Sequence, residues 1–187
     1  DRNRLLYRLE RAMLLDRLQK RSISRNALFE ADKISDELYT TSISKTAASF
    51  IVNDSQSDYE GEDFEKVALH TVLALSFLHD GNLNGARVEA SKINNKIHEI
   101  NSRYDNGKNQ YADDAFAKYL AGIIFEAKAN WDDAIIDYKA ALNLYEGTFR
   151  SFFSWPTPES LVRALASLLI KRERKPDLKK LEEKYPK

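Results

Sequence analysis

The stretch Trp131-Asp132-Asp133-Ala134-Ile135-Ile136-Asp137-Tyr138-Lys139-Ala140-Ala141 decides the fold of this chain. Trp131, Ala134, Ile135, Tyr138, Ala141 and Leu142 fall at i, i+3, i+4, i+7, i+10 and i+11, which predicts an amphipathic helix. Asp132 and Asp133 suit its positive N-terminal end. Gly147 is the expected stop. Upstream, Asp113 or Asp114 caps a helix carrying Phe116, Tyr119, Leu120, Ile123, Ile124 and Ala127, broken at Asn130. Two helices joined by so short a link form a hairpin. Gly122, Ala134 and Ala141 let them approach, and Tyr138 fills the space that small neighbours leave.

Working outward, the same pattern recurs. Phe64, Val67, Ala68, Thr71, Val72, Leu75 and Leu78 share a helical face that ends at Gly81, where glycine suits a left-handed cap. Asn82 to Gly85 reads as a turn, and a helix follows from Ala86 to about Tyr104 with Val88, Ala90, Ile93, Ile97 and Ile100 inside. Near the start, Leu5, Leu6, Leu9, Met13, Leu14 and Leu18 form a stripe over Arg4 to Lys20. After a turn at Arg21–Ile23, Ser24 is the expected cap of a helix to Tyr39 bearing Ala27, Ala31, Ile34 and Leu38. Ser44 is placed to cap a short helix through Ala47, Ala48, Phe50 and Ile51. Asn53 to Asp58 and Asp105 to Asn109 are polar links. After an aromatic loop (Phe149, Phe152, Phe153, Trp155), Thr157-Pro158-Glu159 starts a helix with Thr157 as cap, carrying Leu161, Ala164, Leu165, Leu168 and Leu169. A last short helix runs from Pro176 to Tyr185.

The two central hairpins overlay. Gly122, Phe125, Ala129, Trp131, Ala134, Tyr138 and Ala141 match Ala74, Phe77, Gly81, Leu83, Ala86, Ala90 and Ile93, each 48 residues earlier. The pair around Ala27, Ala31 and Ile34 matches in part. The pattern resembles the tetratricopeptide repeat, although the spacing exceeds the roughly 34 residues usual there. A closer resemblance runs from about Arg4 to Gly147. Tyr59-Glu60-Gly61-Glu62-Asp63-Phe64-Glu65, Ala74-Leu75-Ser76-Phe77-Leu78 with Gly81, Ala86-Arg87-Val88-Glu89, and Ala134-Ile135 with Asp137-Tyr138 are similar to an uncharacterised family of bacterial envelope lipoproteins with tetratricopeptide-like repeats. That resemblance implies a periplasmic, outer-membrane-associated address, with a lipid-bearing cysteine lost upstream, and a scaffolding role with no activity to transfer. A cytoplasmic address is the alternative.

Composition narrows the function. The 187 residues hold 29 basic and 29 acidic side chains, no cysteine, 6 glycines and 4 prolines. Disulfides, thiol nucleophiles and cysteine-ligated metals are excluded. So few turn residues disfavour an all-β chain. The charge is segregated: Arg2, Arg4, Arg8, Arg11, Arg17, Lys20 and Arg21 crowd the start, and ten acidic residues lie between Glu30 and Glu65. These blocks either meet each other within the fold or steer a partner. A neutral domain speaks against nucleic acid. His70, His79 and His98 lack the spacing of metal ligands on one helix face, and no phosphate loop or nucleophile elbow is present.

The expectation is therefore an all-α, tetratricopeptide-like hairpin array (α-solenoid) of about eight helices in a single domain. It divides into a first pair with its connecting segment (4–60), hairpins at 61–104 and 113–147, and C-terminal helices at 157–187. No cofactor, no metal and no catalytic residue is expected. The function expected is protein or peptide binding, with Thr71, Leu75, His79, Tyr119, Ile123 and Glu126 lining a groove of first helices. Tyr59, Glu62 and Phe64 are candidates for a recognition loop, against a plain helix start whose acids suit the dipole. Phe152 and Trp155 are candidates for an exposed anchor, against a lid on the open end of the array. Arg87 is expected to pair with Glu62 or Glu65. Two other readings stand beside this one: a structural subunit of an envelope complex with no peptide groove, and a hydrolase whose carboxylates hide among Glu62, Glu65, Glu126 and Asp137.

Overall fold

A computed structural model describes residues 2–47, 58–103 and 114–186, with side chains only to residue 41 in the first stretch. Among these residues the chain is all-α, without a strand. The helices are α1 (Arg4–Arg17), α2 (Arg21–Ala47), α3 (Asp63–His79), α4 (Leu83–Asn101), α5 (Ala115–Ala127), α6 (Trp131–Leu144), α7 (Arg150–Phe153), α8 (Glu159–Lys171) and α9 (Lys175–Lys184), with a π-helical turn at Tyr145–Phe149 between α6 and α7. The short helix expected beyond Ala47, most of the polar link at 53–58, the link at 105–109, Tyr104 and Asp113 lie outside the described residues.

One turn is used four times. Gln19, Gly81, Ala129 and Glu173 all carry positive φ, at 61°, 71°, 58° and 53°. Each donates its N–H three residues back, to Asp16, Leu78, Glu126 and Ile170. The next residue donates five back: Lys20 to Leu15, Asn82 to Phe77, Asn130 to Phe125 and Arg174 to Leu169, at 2.8 to 2.9 Å. This double closure satisfies the orphan carbonyls of a helix end and reverses the chain. It makes four hairpins: α1–α2, α3–α4, α5–α6 and α8–α9. Each stacks on the next, with α2 on α3, α4 on α5 and α6 on α8, while α3 also meets α5.

The socket expected between small and bulky residues is present. A Cβ on Gly122 would lie 2.4 Å from Tyr138 Cδ1. Ala134, Tyr138 and Ala141 are buried with Leu161, Leu165, Leu168 and Leu169 in one core that spans the last three hairpins. The first hairpin shares a separate core with Leu69 and Leu73 of α3.

Several local expectations change. α2 begins at Arg21 and continues to Ala47, past Tyr39. Ser24 therefore lies inside it rather than at its cap, and its buried hydroxyl donates to Ala12 O at 2.8 Å. That bond staples the two helices of the first hairpin. Leu83 to Gly85 are the first turn of α4, opened by Asn82, whose side chain accepts from Gly85 N. Gly147 does not stop the helix; it sits within the π-helical turn that leads into α7. Thr157 makes no capping bond, and Pro158 is the residue before α8. Asp114 does cap α5, accepting from Phe116 N and Ala117 N.

The stripes are also narrower than periodicity implies. In α1, Leu5 and Ala12 are buried, but Met13, Leu14 and Leu18 are exposed. α1 packs chiefly on α2 among the described residues, which leaves half of its stripe largely uncovered by them. Phe64, Leu75, Val88, Phe116 and Ile123 are likewise open to solvent. A hairpin array covers each helix on the flanks facing its neighbours and leaves the outer edge bare.

Candidate functional site

The first helices of the second and third hairpins carry two of the expected groove residues at matching positions. Leu75 on α3 and Ile123 on α5 hold the same repeat position, 48 residues apart, and both are about 40% exposed. Phe64 and Phe116 add apolar surface to the same two helices, and His79 is exposed at the end of α3. The other groove candidates are already engaged. Thr71 is buried and donates to Val67 O. Tyr119 is half-buried with its ring against Tyr138. Glu126 accepts from Tyr138 Oη at 2.6 Å. Burial, with the Glu126 carboxylate beside it, pushes that phenol's pKa well up, so it stays a donor.

The Tyr59–Glu65 segment is a helix start tied to the body. Tyr59 N donates to Arg2 O, and its hydroxyl donates to Glu65. Burial and that carboxylate raise the Tyr59 pKa to about 12. Glu65 also accepts from Glu62 N at 2.8 Å. Gly61 needs its φ of +78°, and a Cβ there would stand 3.0 Å from Leu5 Cδ2. Tyr59 is therefore structural, whereas Glu62 and Phe64 are exposed. Arg87 does not reach this segment. The hairpin is antiparallel, so the start of α4 lies beside the end of α3, away from Glu62 and Glu65.

At the other end, Phe149, Phe153 and Trp155 form a mutual cluster with ring centroids 5.5 to 5.9 Å apart, and Phe152 stands out beside it. A groove of about 640 Å³ opens between α8 and α9, lined by Val162, Ala166, Ile170, Leu181 and Tyr185. Glu182, nine residues after Glu173 as Tyr138 is nine after Ala129, also lines it.

Sequence periodicity missed the most organised polar sites. His70 of α3 is buried, with Nδ1 2.8 Å from Glu89 Oε2 on α4 and Nε2 3.4 Å from Asp32 Oδ1 on α2. Lys92 Nζ closes the group, 3.1 Å from Asp32 Oδ2. The same three positions one hairpin later hold Asn94, Lys118 and Asp137. Lys118 Nζ lies 2.6 Å from Asn94 Oδ1 and 3.1 Å from Asp137 Oδ1, and Asn94 Nδ2 donates to Asp137 Oδ2 at 2.7 Å. At the third seam those positions hold Leu142, Val162 and Leu181, all within the apolar core. The signal was available: the 48-residue offset that aligns Gly122 with Ala74 also aligns Lys118 with His70 and Asp137 with Glu89.

The electrostatics follow from these contacts. Burial alone would raise the Asp32 pKa, but the hydrogen bond and charge of His70, then Lys92, bring it down to about 2. Burial would lower the His70 pKa, yet the bonds and charges of Asp32 and Glu89 outweigh it and hold it above the ordinary value. At Asp137 burial wins over Lys118 and Asn94, and the carboxyl is raised. Neither group opens onto a cleft: the side chains of His70, Glu89 and Asp137 are 3% exposed or less. The segregated charge of the sequence meets within the fold, as in Arg8–Glu30, Arg4–Glu37 and Lys96–Asp36.

Among the described residues no cluster of His, Asp and Glu could hold a metal ion, and no described helix is long and apolar enough to cross a membrane. No protein-family model matches the chain, and no curated protein or solved structure is significantly similar to it.

Proposed function

We propose that the chain is a non-catalytic interaction scaffold that binds a protein or peptide along the first helices of its hairpins. One observation carries this reading: Leu75 and Ile123 are left uncovered at the same repeat position of adjacent helices α3 and α5. A row of apolar side chains in fixed register suits an extended or helical segment laid across the stack. The strongest polar groups are spent inside the seams, where no substrate reaches, which favours binding over catalysis. The resemblance of the Tyr59–Glu65 segment and the hairpin motifs supports a tetratricopeptide-like α-solenoid of the bacterial envelope.

The second helices supply an internal control. Val88 and Ile136 are still more exposed and also 48 residues apart, but on α4 and α6. A peptide library passed over the immobilised chain should leave a retained set. Leu75→Glu with Ile123→Glu should abolish retention without changing the melting temperature, and Val88→Glu with Ile136→Glu should leave it intact. No retained peptides, or equal loss in both variants, would defeat the reading. The structural-subunit alternative rests on the exposed Phe149–Phe153–Trp155 cluster, since aromatic anchors dominate binding interfaces.

A further inference from the structure

We propose that the seam between the first hairpin and the rest of the array is a proton-gated latch, held shut by His70 in its imidazolium form and loosened as that proton leaves. The inference is independent of what the first helices bind.

The ring stands between two carboxylates, an arrangement that favours a proton on each nitrogen. Both ring nitrogens face carboxylates, Glu89 at 2.8 Å and Asp32 at 3.4 Å. Only the imidazolium donates from both nitrogens; a neutral ring turns a lone pair toward one carboxylate. The charged groups facing the ring are Asp32 from α2, Glu89 and Lys92 from α4. With His70 protonated, two cations balance two anions. Without that proton the group is left with one uncompensated negative charge in a buried site, which is costly.

The seam is also positioned to act as a hinge. His70 ties α2 to α3 and α4 at once. The first hairpin keeps its own core around Leu5, Ala27, Leu28 and Ala31, and among the described residues Leu69 and Leu73 are the buried apolar side chains of the array that join it. The later hairpins share one continuous core. Other ties of α2 lie nearer the surface, among them Arg25 to Asp80, Lys96 to Asp36, and the rings of Phe29 and Tyr39 against Phe77 and Arg103. Loss of one charge therefore weakens this seam while the others stay closed. The second seam carries Lys118 in place of histidine.

The direction follows from linkage. A histidine whose folded pKa lies above its unfolded value stabilises fully below about pH 6.5, and that contribution fades as pH rises through the folded pKa. Each pH unit between those two values multiplies the opening constant of the seam about tenfold.

Hydrogen exchange followed by mass spectrometry on the whole chain, corrected for intrinsic rates, tests this between pH 6 and pH 9. α1 and α2 should lose protection by about tenfold or more, while α5, α6 and α8 keep theirs. His70→Lys, which installs the cation of the second seam, should flatten the response. If that variant does not fold, NMR titration of the His70 ring in the native chain decides instead. Titration above about pH 6.5 supports the latch, and titration at or below it overturns the latch. Equal loss of protection across all hairpins, no loss in α1–α2, or an unchanged response in a folded His70→Lys variant would each overturn it as well.

Discussion

The first seam and the last use the same three positions with opposite chemistry. Asp32, His70 and Glu89 join the first hairpin to the second through charge. Leu142, Val162 and Leu181 join the third to the fourth through apolar burial. The middle seam, with Asn94, Lys118 and Asp137, stands between them. The repeated turn fixes where these side chains meet, and it does not fix how they hold. A buried ionic group contributes little net stability over apolar residues of similar size, but losing one member costs a great deal. The charged seam is thus brittle and conditional, and the last seam holds through a buried apolar core with its ion pairs, Lys139–Asp177 and Arg174–Asp132, nearer the surface.

The largest effects should separate the two ends directly. His70→Leu leaves Asp32 and Glu89 to share the single Lys92 ammonium and should cost about 3–5 kcal/mol at neutral pH. Leu165→Ala, at a buried position of the last core, should cost about 3 kcal/mol through lost burial and a cavity. Urea denaturation at several pH values distinguishes them: the first loss should shrink as the carboxylates protonate in acid, and the second should stay level. A pH-independent loss at His70 would erase the contrast.

A smaller effect is expected from converting the middle seam to the composition of the last. Asn94→Leu, Lys118→Val and Asp137→Leu together should leave stability unchanged or raise it by up to about 2 kcal/mol. Lys118→Val alone should lower it, because Asp137 would keep its buried charge without a cation. If the triple variant is less stable than the single one, the polar group is more than a replaceable spacer.

The smallest effect concerns the turn that all seams share. Gly81 adopts its left-handed φ freely, whereas Ala129 holds φ 58° against its Cβ. Ala129→Gly should gain up to about 1 kcal/mol, seen as a rise in melting temperature. A loss there would mean that chain stiffness at this turn outweighs strain.

The hairpins were legible in the sequence because Gly122, Phe125, Ala134, Tyr138 and Ala141 have shapes that packing cannot exchange freely, and their counterparts recur at one offset. Gly81 announced its turn. Gln19, Ala129 and Glu173 did not, since these residue types carry no left-handed preference and the turn is imposed by the helices on either side. Ser24 misled for a related reason: a serine before an apolar stripe reads as a cap, yet here its hydroxyl is claimed by Ala12 of the neighbouring helix. The exposed face of α1 was misread because periodicity reports which residues share a side, not whether anything covers that side. Of the groove candidates, Leu75 and Ile123 were found by helix phase, while the engagement of Thr71 and Glu126 depends on tertiary neighbours. The charged seams were overlooked because polar residues at helical spacing read as solvated until a fold encloses them.

The π-helical turn at Tyr145–Phe149 has one more effect. Such a turn accommodates one residue more than an α-helix spanning the same length. At 3.6 residues per revolution, that surplus carries every later side chain about 100° round the axis. The bearing of Phe152 and Phe153 is therefore governed by a single amino acid of slack at the close of α6, much as one tooth resets a gear.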